Sequence, residues 1–185
     1  MLALTLVAAA AVIGLSACSS PSPGSAVGDS STSSAPTTTA GSTSGSGGSG
    51  SPLASVDPCT LIAQADVTSS GLEAGKTVQA PGGRECRWER PDDGATIDGY
   101  VLQIAIYDTA GIDQLNTDGG SVSDYPVGKY QGKLFQDSSL NNCVVSVGTS
   151  STSRVDIYVN SSVSLAQGCS LVKEVAPKVV ANFPA

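Results

Sequence analysis

The sequence predicts an α+β domain: an antiparallel sheet of four to six strands, with N- and C-terminal helices packed on one face and two disulfides. Three observations predict it. The middle of the chain carries short segments in which apolar and polar residues alternate, the mark of half-buried strands. Helical signals flank that stretch at both ends. Four cysteines, Cys59, Cys86, Cys143 and Cys169, are spread over these elements.

The chain opens with an apolar run over residues 2–15, which is shorter than the about 20 residues a membrane-crossing helix needs. It reads as the core of a secretory signal. Leu15-Ser16-Ala17-Cys18 follows, then Ser19 and Ser20, and this tetrapeptide resembles a bacterial lipobox. The expectation is a lipoprotein signal peptide at 1–17 and a lipidated Cys18 as the mature N-terminus. No Lys or Arg precedes the apolar run, a departure that a start site further upstream would remove. Two or more acyl chains hold a protein stably on a bilayer. The expected location is therefore the outer face of the plasma membrane, with the membrane itself as a partner through Cys18.

Residues 18–54 read as a disordered tether. Of the 36 residues from Ser19 to Ala54, 29 are Ser, Thr, Gly or Pro, and Asp29 is the only charge. Such a segment has too little apolar surface to offset the entropy of ordering it. Its root-mean-square reach is roughly 30–36 Å.

Residues 55–185 read as one folded domain holding 24 of the 25 charged side chains. Asp57-Pro58 opens a helix, with Asp57 as its cap and Pro58 at the first position, where a missing N–H costs nothing. Leu61, Ile62 and Ala65 give that helix an apolar stripe, and Ser69, Ser70 and Gly71 end it. In 84–90, Cys86 and Trp88 share one face while Glu85, Arg87 and Glu89 share the other. Tyr100, Leu102, Ile104 and Ile106 line one face of the next strand, and the Asp- and Gly-rich segment 91–99 joins the two as a hairpin. A short helical turn is expected at 112–115 and a strand at 129–136. Cys143, Val145 and Val147 alternate, as do Val155, Ile157 and Val159, with 148–153 as their hairpin connection. Cys169, Val172, Ala176, Val179, Val180 and Phe183 then fall on one side of a C-terminal helix, which Pro177 is expected to kink.

Four cysteines allow three connectivities. Cys59–Cys86 and Cys143–Cys169 are favoured, because each pair joins a terminal helix to a strand whose neighbours face the core. A four-thiolate zinc site would need close C-x2-C pairs, and the sequence has none.

Charge and composition exclude several functions. The net charge is −7, whereas a nucleic-acid partner requires a basic surface. There is no His, which removes Ser-His-Asp and Cys-His catalysis and His-ligated metals. Ser170 and Lys173 match S-x-x-K, but the companion motifs of penicillin-binding enzymes are missing and an exposed helix face is the better reading. Asp92, Asp93, Asp98 and the run 113–120 read as solvated turns, since no calcium-loop pattern is met. Glu85 and Glu89, a formal carboxylate pair for glycoside hydrolysis, sit among Arg84, Arg87 and Arg90 and read as ion-pair partners. Trp88 reads as core beside a Cys59–Cys86 bond.

The order of these pieces, a lipobox, a Ser/Thr/Gly tether, Asp57-Pro58-Cys59, Cys86-Arg87-Trp88, Cys143-Val144-Val145-Ser146-Val147, Cys169 and Asn182-Phe183-Pro184, resembles an actinobacterial lipoprotein family of unknown function, one that includes the mycobacterial lipoproteins LprB and LprC. The resemblance covers about residues 56–184 and implies a cell-envelope location and two disulfides. It implies no activity and supplies no catalytic residue. No enzyme activity, metal or cofactor is expected. The expected role is a non-enzymatic binding or accessory module for an envelope lipid, a wall fragment or a membrane-protein partner. The alternative is an interaction subunit of a transport, secretion or signalling complex, with a carboxylate-based wall hydrolase behind both.

Overall fold

The computed structural model describes residues 50–184. The expected signal peptide, Cys18 and all but the end of the expected tether lie outside the described residues. The described chain begins with a 3-10 turn at Pro58–Thr60 and α1 (Gln64–Ser69). β1 (Lys76–Ala80), β2 (Gly83–Arg90) and β3 (Tyr100–Tyr107) follow. A second 3-10 turn at Ile112–Gln114 leads to β4 (Ser121–Asp124), β5 (Gly132–Asp137), β6 (Asn142–Ser150), β7 (Ser153–Ser161) and α2 (Leu165–Ala181).

The seven strands form one sheet in the order β1-β2-β3-β7-β6-β5-β4, with every neighbour antiparallel. Two meanders, β1-β2-β3 and β4-β5-β6-β7, meet where β3 pairs with β7 at the centre. Seven strands correct the expected four to six. The two additional strands are the edges, Lys76–Ala80 and Ser121–Asp124, and the latter is exposed at every position. Neither buries an alternating stripe, so backbone pairing with β2 and β5 is what makes them strands.

One face of the sheet carries both helices. The register aligns Cys86 with Ile104, Ile104 with Ile157, and Ile157 with Val145, so the predicted apolar stripes form one continuous layer. Leu102, Ile104, Val145, Val155, Ile157 and Val159 of the sheet, with Val172, Ala176 and Val179 of α2, have no exposure at all. Each of the Leu, Ile and Val side chains among them contributes about 1.5–3 kcal/mol by leaving water. Trp88 is core, as expected, and flanks Gly75 together with the disulfide. A Cβ on Gly75 would stand 2.9 Å from Cys86 Sγ and 2.5 Å from Trp88 Nε1. Core packing also takes in Leu53, which lies before the boundary read from composition.

Both favoured disulfides are present, Cys59–Cys86 and Cys143–Cys169, and each ties a helical segment to the sheet face beneath it. The single N-terminal helix expected from sequence is instead a 3-10 turn, a break and α1. Helical residues advance by about 100° each. An unbroken helix would scatter Leu61, Ile62 and Val67 around its circumference, whereas the break lets all three bury. Asp57 caps as predicted, its Oδ1 accepting from Cys59 N–H at 2.9 Å. The C-terminal helix starts earlier than its apolar stripe, at Leu165, capped by Ser164, and runs without interruption through Pro177. Phe183 closes its end edge-on against Tyr130, with ring centroids 5.4 Å apart.

The acidic loop between β2 and β3 is organised by its own carboxylates. Asp93 accepts from the backbone N–H groups of Ala95, Thr96 and Ile97 and from the Thr96 hydroxyl. These donors hold its carboxyl well below the usual range, first through Ile97 and Ala95. A depressed carboxyl stabilises the fold above its unfolded pKa of about 3.9 and loses that contribution as pH falls. Thermal unfolding of Asp93→Ala is therefore expected to converge on wild type as pH drops from about 5 towards 2, with the gap largest near neutrality. A gap that widened on acidification would contradict the assignment.

Candidate functional site

The connection from β3 to β4 must travel from the centre of the sheet to its far edge. It crosses the face opposite the helices, and that path builds the site. Arg154 Nη1 donates to the carbonyls of Ala110 at 3.3 Å and Gly111 at 3.1 Å, tacking the crossover onto β7. Gly111 lies so close to the β6–β7 turn that an added Cβ would collide with the Ser151 carbonyl. Farther along, Leu115, Asn116 and Asp118 form one wall of an open cleft of about 310 Å3.

Its floor is made by residues at alternate positions on four adjacent strands. Tyr107 comes from β3, Arg154, Asp156 and Tyr158 from β7, Asn142 and Val144 from β6, and Phe135 from β5. Arg154 is 6% exposed and Asp156 is fully buried. Arg154 Nε donates to both Asp156 oxygens, at 3.1 and 2.9 Å. The Tyr158 hydroxyl donates to Asp156 Oδ2 at 3.1 Å. Having only one proton to give, Tyr158 must accept from Tyr107 across their 3.3 Å contact. The chain of donors is thus Tyr107 to Tyr158 to Asp156, which leaves the Tyr107 oxygen with acceptor capacity. The Arg154 guanidinium also stands 4.2 Å over the Tyr107 ring centroid, a cation–π contact.

Burial pushes the Asp156 carboxyl up, opposed chiefly by the Arg154 charge. Burial, reinforced by the Asp156 carboxylate, pushes the Tyr158 phenol up and keeps it protonated. Ser146 lies across the ladder from Asp156, near enough to favour its charged form, while its Oγ falls outside hydrogen-bonding geometry and is buried without a partner among the described residues. At the rim, Asp137 accepts from Ser139 Oγ at 2.6 Å and Ser139 N–H at 2.8 Å, which lowers its carboxyl.

The other sequence candidates lie elsewhere and do not assemble. Glu85 and Glu89 are four residues apart on β2, about 13 Å along a strand. Glycoside hydrolysis uses carboxyl groups about 5–9.5 Å apart. Glu85 accepts from Gln103 Nε2 at 2.7 Å, and Glu89 pairs with Arg87 Nε at 2.9 Å. Ser170 and Lys173 are both exposed on α2, and the Lys173 ammonium lies 5.9 Å over the Tyr125 ring, with no bond between the two motif residues. Among the described residues, no group of three or more His, Cys, Asp or Glu side chains could hold a metal ion.

Sequence reasoning missed the Arg154–Asp156–Tyr158 cluster, having read only the Val155, Ile157 and Val159 face of that strand. The signal was available. Arg154, Asp156 and Tyr158 repeat at every second residue on one strand, opposite in charge and within reach of one another.

Residues 13–182 match the family described as protein of unknown function, DUF3558. The chain belongs to this family. That agrees with the expected membership of a family of unknown function. No curated protein and no solved structure matches the chain. The two disulfides of this DUF3558 domain suit an oxidising, extracytoplasmic compartment. No described helix is long and apolar enough to cross a membrane.

Proposed function

We propose that this chain is an exported envelope protein, anchored through a lipid on Cys18 at the outer face of the plasma membrane, and that it serves as a non-enzymatic binding module, a ligand carrier or sensor. The observation that carries the reading is the cleft over Arg154 and Asp156. Its polar floor is fixed by internal bonds before any ligand arrives, which is the preorganisation a binding site needs. The groups in it are unsuited to nucleophilic attack. Tyr158 stays protonated, both Asp156 oxygens are engaged by Arg154 or Tyr158, and the chain has no His to activate a hydroxyl. The helix-side face offers less, because the layer between sheet and α2 is filled by fully buried aliphatic side chains.

A second reading, an interaction subunit of a membrane transport, secretion or signalling complex, draws on a different feature. Ile97, Leu140 and Val163 are 42, 62 and 52% exposed. They sit on three loops near the end of β7; Ser162 bonds to Asp92 and Gly99, and Asn160 of β7 bonds to Leu140. Native mass spectrometry of the full chain, released gently from its own envelope, separates the readings. Acyl mass on Cys18 with a stoichiometric small-molecule adduct is the expected result. A co-purifying protein in fixed ratio, with no adduct, would favour the second reading. A bare chain without acyl mass would overturn both the anchor and the carrier.

A further inference from the structure

We propose that the cleft over Arg154 is a site for a neutral saccharide, one or two sugar rings in size. The inference rests on the binding-module reading and gives it a ligand class.

The first observation is an unspent donor. Arg154 is only 6% exposed, and its Nε and Nη1 are fully engaged by Asp156, Ala110 and Gly111. Its Nη2 donates to no described residue, although Arg154 lines the cleft. Unlike Ser146 Oγ, Nη2 is not shut away from solvent, so its N–H groups can donate to a ligand in place of water. The second observation is an unspent acceptor beside it. Tyr107, which lines the cleft, gives its proton to Tyr158, so its oxygen keeps free acceptor capacity. Asn142, half-buried on the same floor, has an amide with no partner among the described residues and supplies both donor and acceptor. A ligand that satisfies these groups together must accept and donate within a few ångströms, as adjacent sugar hydroxyls do.

Charge argues against an anion. The Arg154 charge is matched by Asp156, and Asp118 and Asp137 add two more carboxylates to the walls. A purely apolar ligand would strand the polar floor. An added peptide strand would use a sheet edge, whereas this cleft lies over four inner strands of the face. The Tyr107, Phe135 and Tyr158 side chains add apolar lining beside the polar groups, which the C–H groups of a sugar can contact. A volume of about 310 Å3 is at the small end of ligand sites, which fits one or two rings.

The test is an amide-resolved NMR titration of the full chain with N-acetylglucosamine and its β-1,4-linked disaccharide, with glucuronate as the charged control. The neutral sugars are expected to move the amides of Tyr107, Phe135, Asn142 and Tyr158, and glucuronate to move them less. Asn142→Ala is expected to weaken binding about fivefold, the loss of one hydrogen bond. Gln79→Ala, on the exposed edge strand, is expected to leave it unchanged. Cleft amides unmoved by either sugar at ~10 mM, about ten times a weak Kd of ~1 mM, would overturn the saccharide assignment. So would shifts confined to another surface, or glucuronate binding as well as the neutral sugars. A native adduct of another class, found alongside that failure, would leave the binding-module reading standing; a bare chain would remove both.

Discussion

Reduction of both disulfides is expected to unfold the domain at room temperature. Cys59–Cys86 closes a loop of 27 residues in sequence separation and Cys143–Cys169 one of 26. In the chain-entropy account each contributes about 3–4 kcal/mol by restricting the unfolded chain. The two loops do not overlap, so their contributions add to about 7 kcal/mol, against about 5–15 kcal/mol for a whole domain. Helical circular dichroism and Trp88 fluorescence, followed with and without a reductant, would read the loss, because Trp88 packs beside the first bond. Paired Cys→Ala replacements at either bond should each lower the melting temperature without abolishing folding. A reduced protein that melts at the oxidised temperature would mean that the seven-stranded sheet carries the fold alone.

Arg154→Met is expected to cost about 3–5 kcal/mol, the penalty for stranding a buried charge. Asp156 is fully buried, and Arg154 is its charged partner. The double replacement Arg154→Met with Asp156→Leu should recover most of that loss, since no charge is then left unpaired. Acidity gives a second check. Burial already raises the Asp156 carboxyl, and removing Arg154 raises it further. A raised carboxyl destabilises the fold at pH above its unfolded value of about 3.9, and protonation relieves the penalty. The stability gap between wild type and Arg154→Met should therefore shrink as pH falls towards 4. A gap independent of pH would show that packing, and not charge, sets the cost.

The helix-side half of the molecule was legible because burial there follows the period of each element. Cys86 with Trp88, the even-numbered residues from Tyr100 to Ile106, and the odd-numbered residues from Val155 to Val159 all face the core as their alternation requires. The cysteine pairing followed from the same logic. The edge strands were not legible, since Lys76–Ala80 and Ser121–Asp124 are held by a neighbour's backbone, which leaves no apolar period. The site was hidden for a related reason. Polar residues alternating with a core stripe normally face water, and Arg154 and Asp156 are buried only because the β3-to-β4 crossover lies over them. That path is a product of sheet order, and strand order is not written in the periodicity of any one strand.

The disulfide connectivity has a consequence for how the protein is made. Among the described residues each cysteine pairs with its neighbour in sequence, first Cys59 with Cys86, then Cys143 with Cys169. A polypeptide threaded outward from its N-terminus delivers the first pair well before the second appears. With Cys18 blocked by the proposed lipid, an oxidase that joins thiols in order of emergence reaches the native pattern directly, with no bond to undo. Reshuffling, which takes seconds to hours, is then unnecessary. Maturation of this domain should depend on a thiol oxidase and be indifferent to a disulfide isomerase.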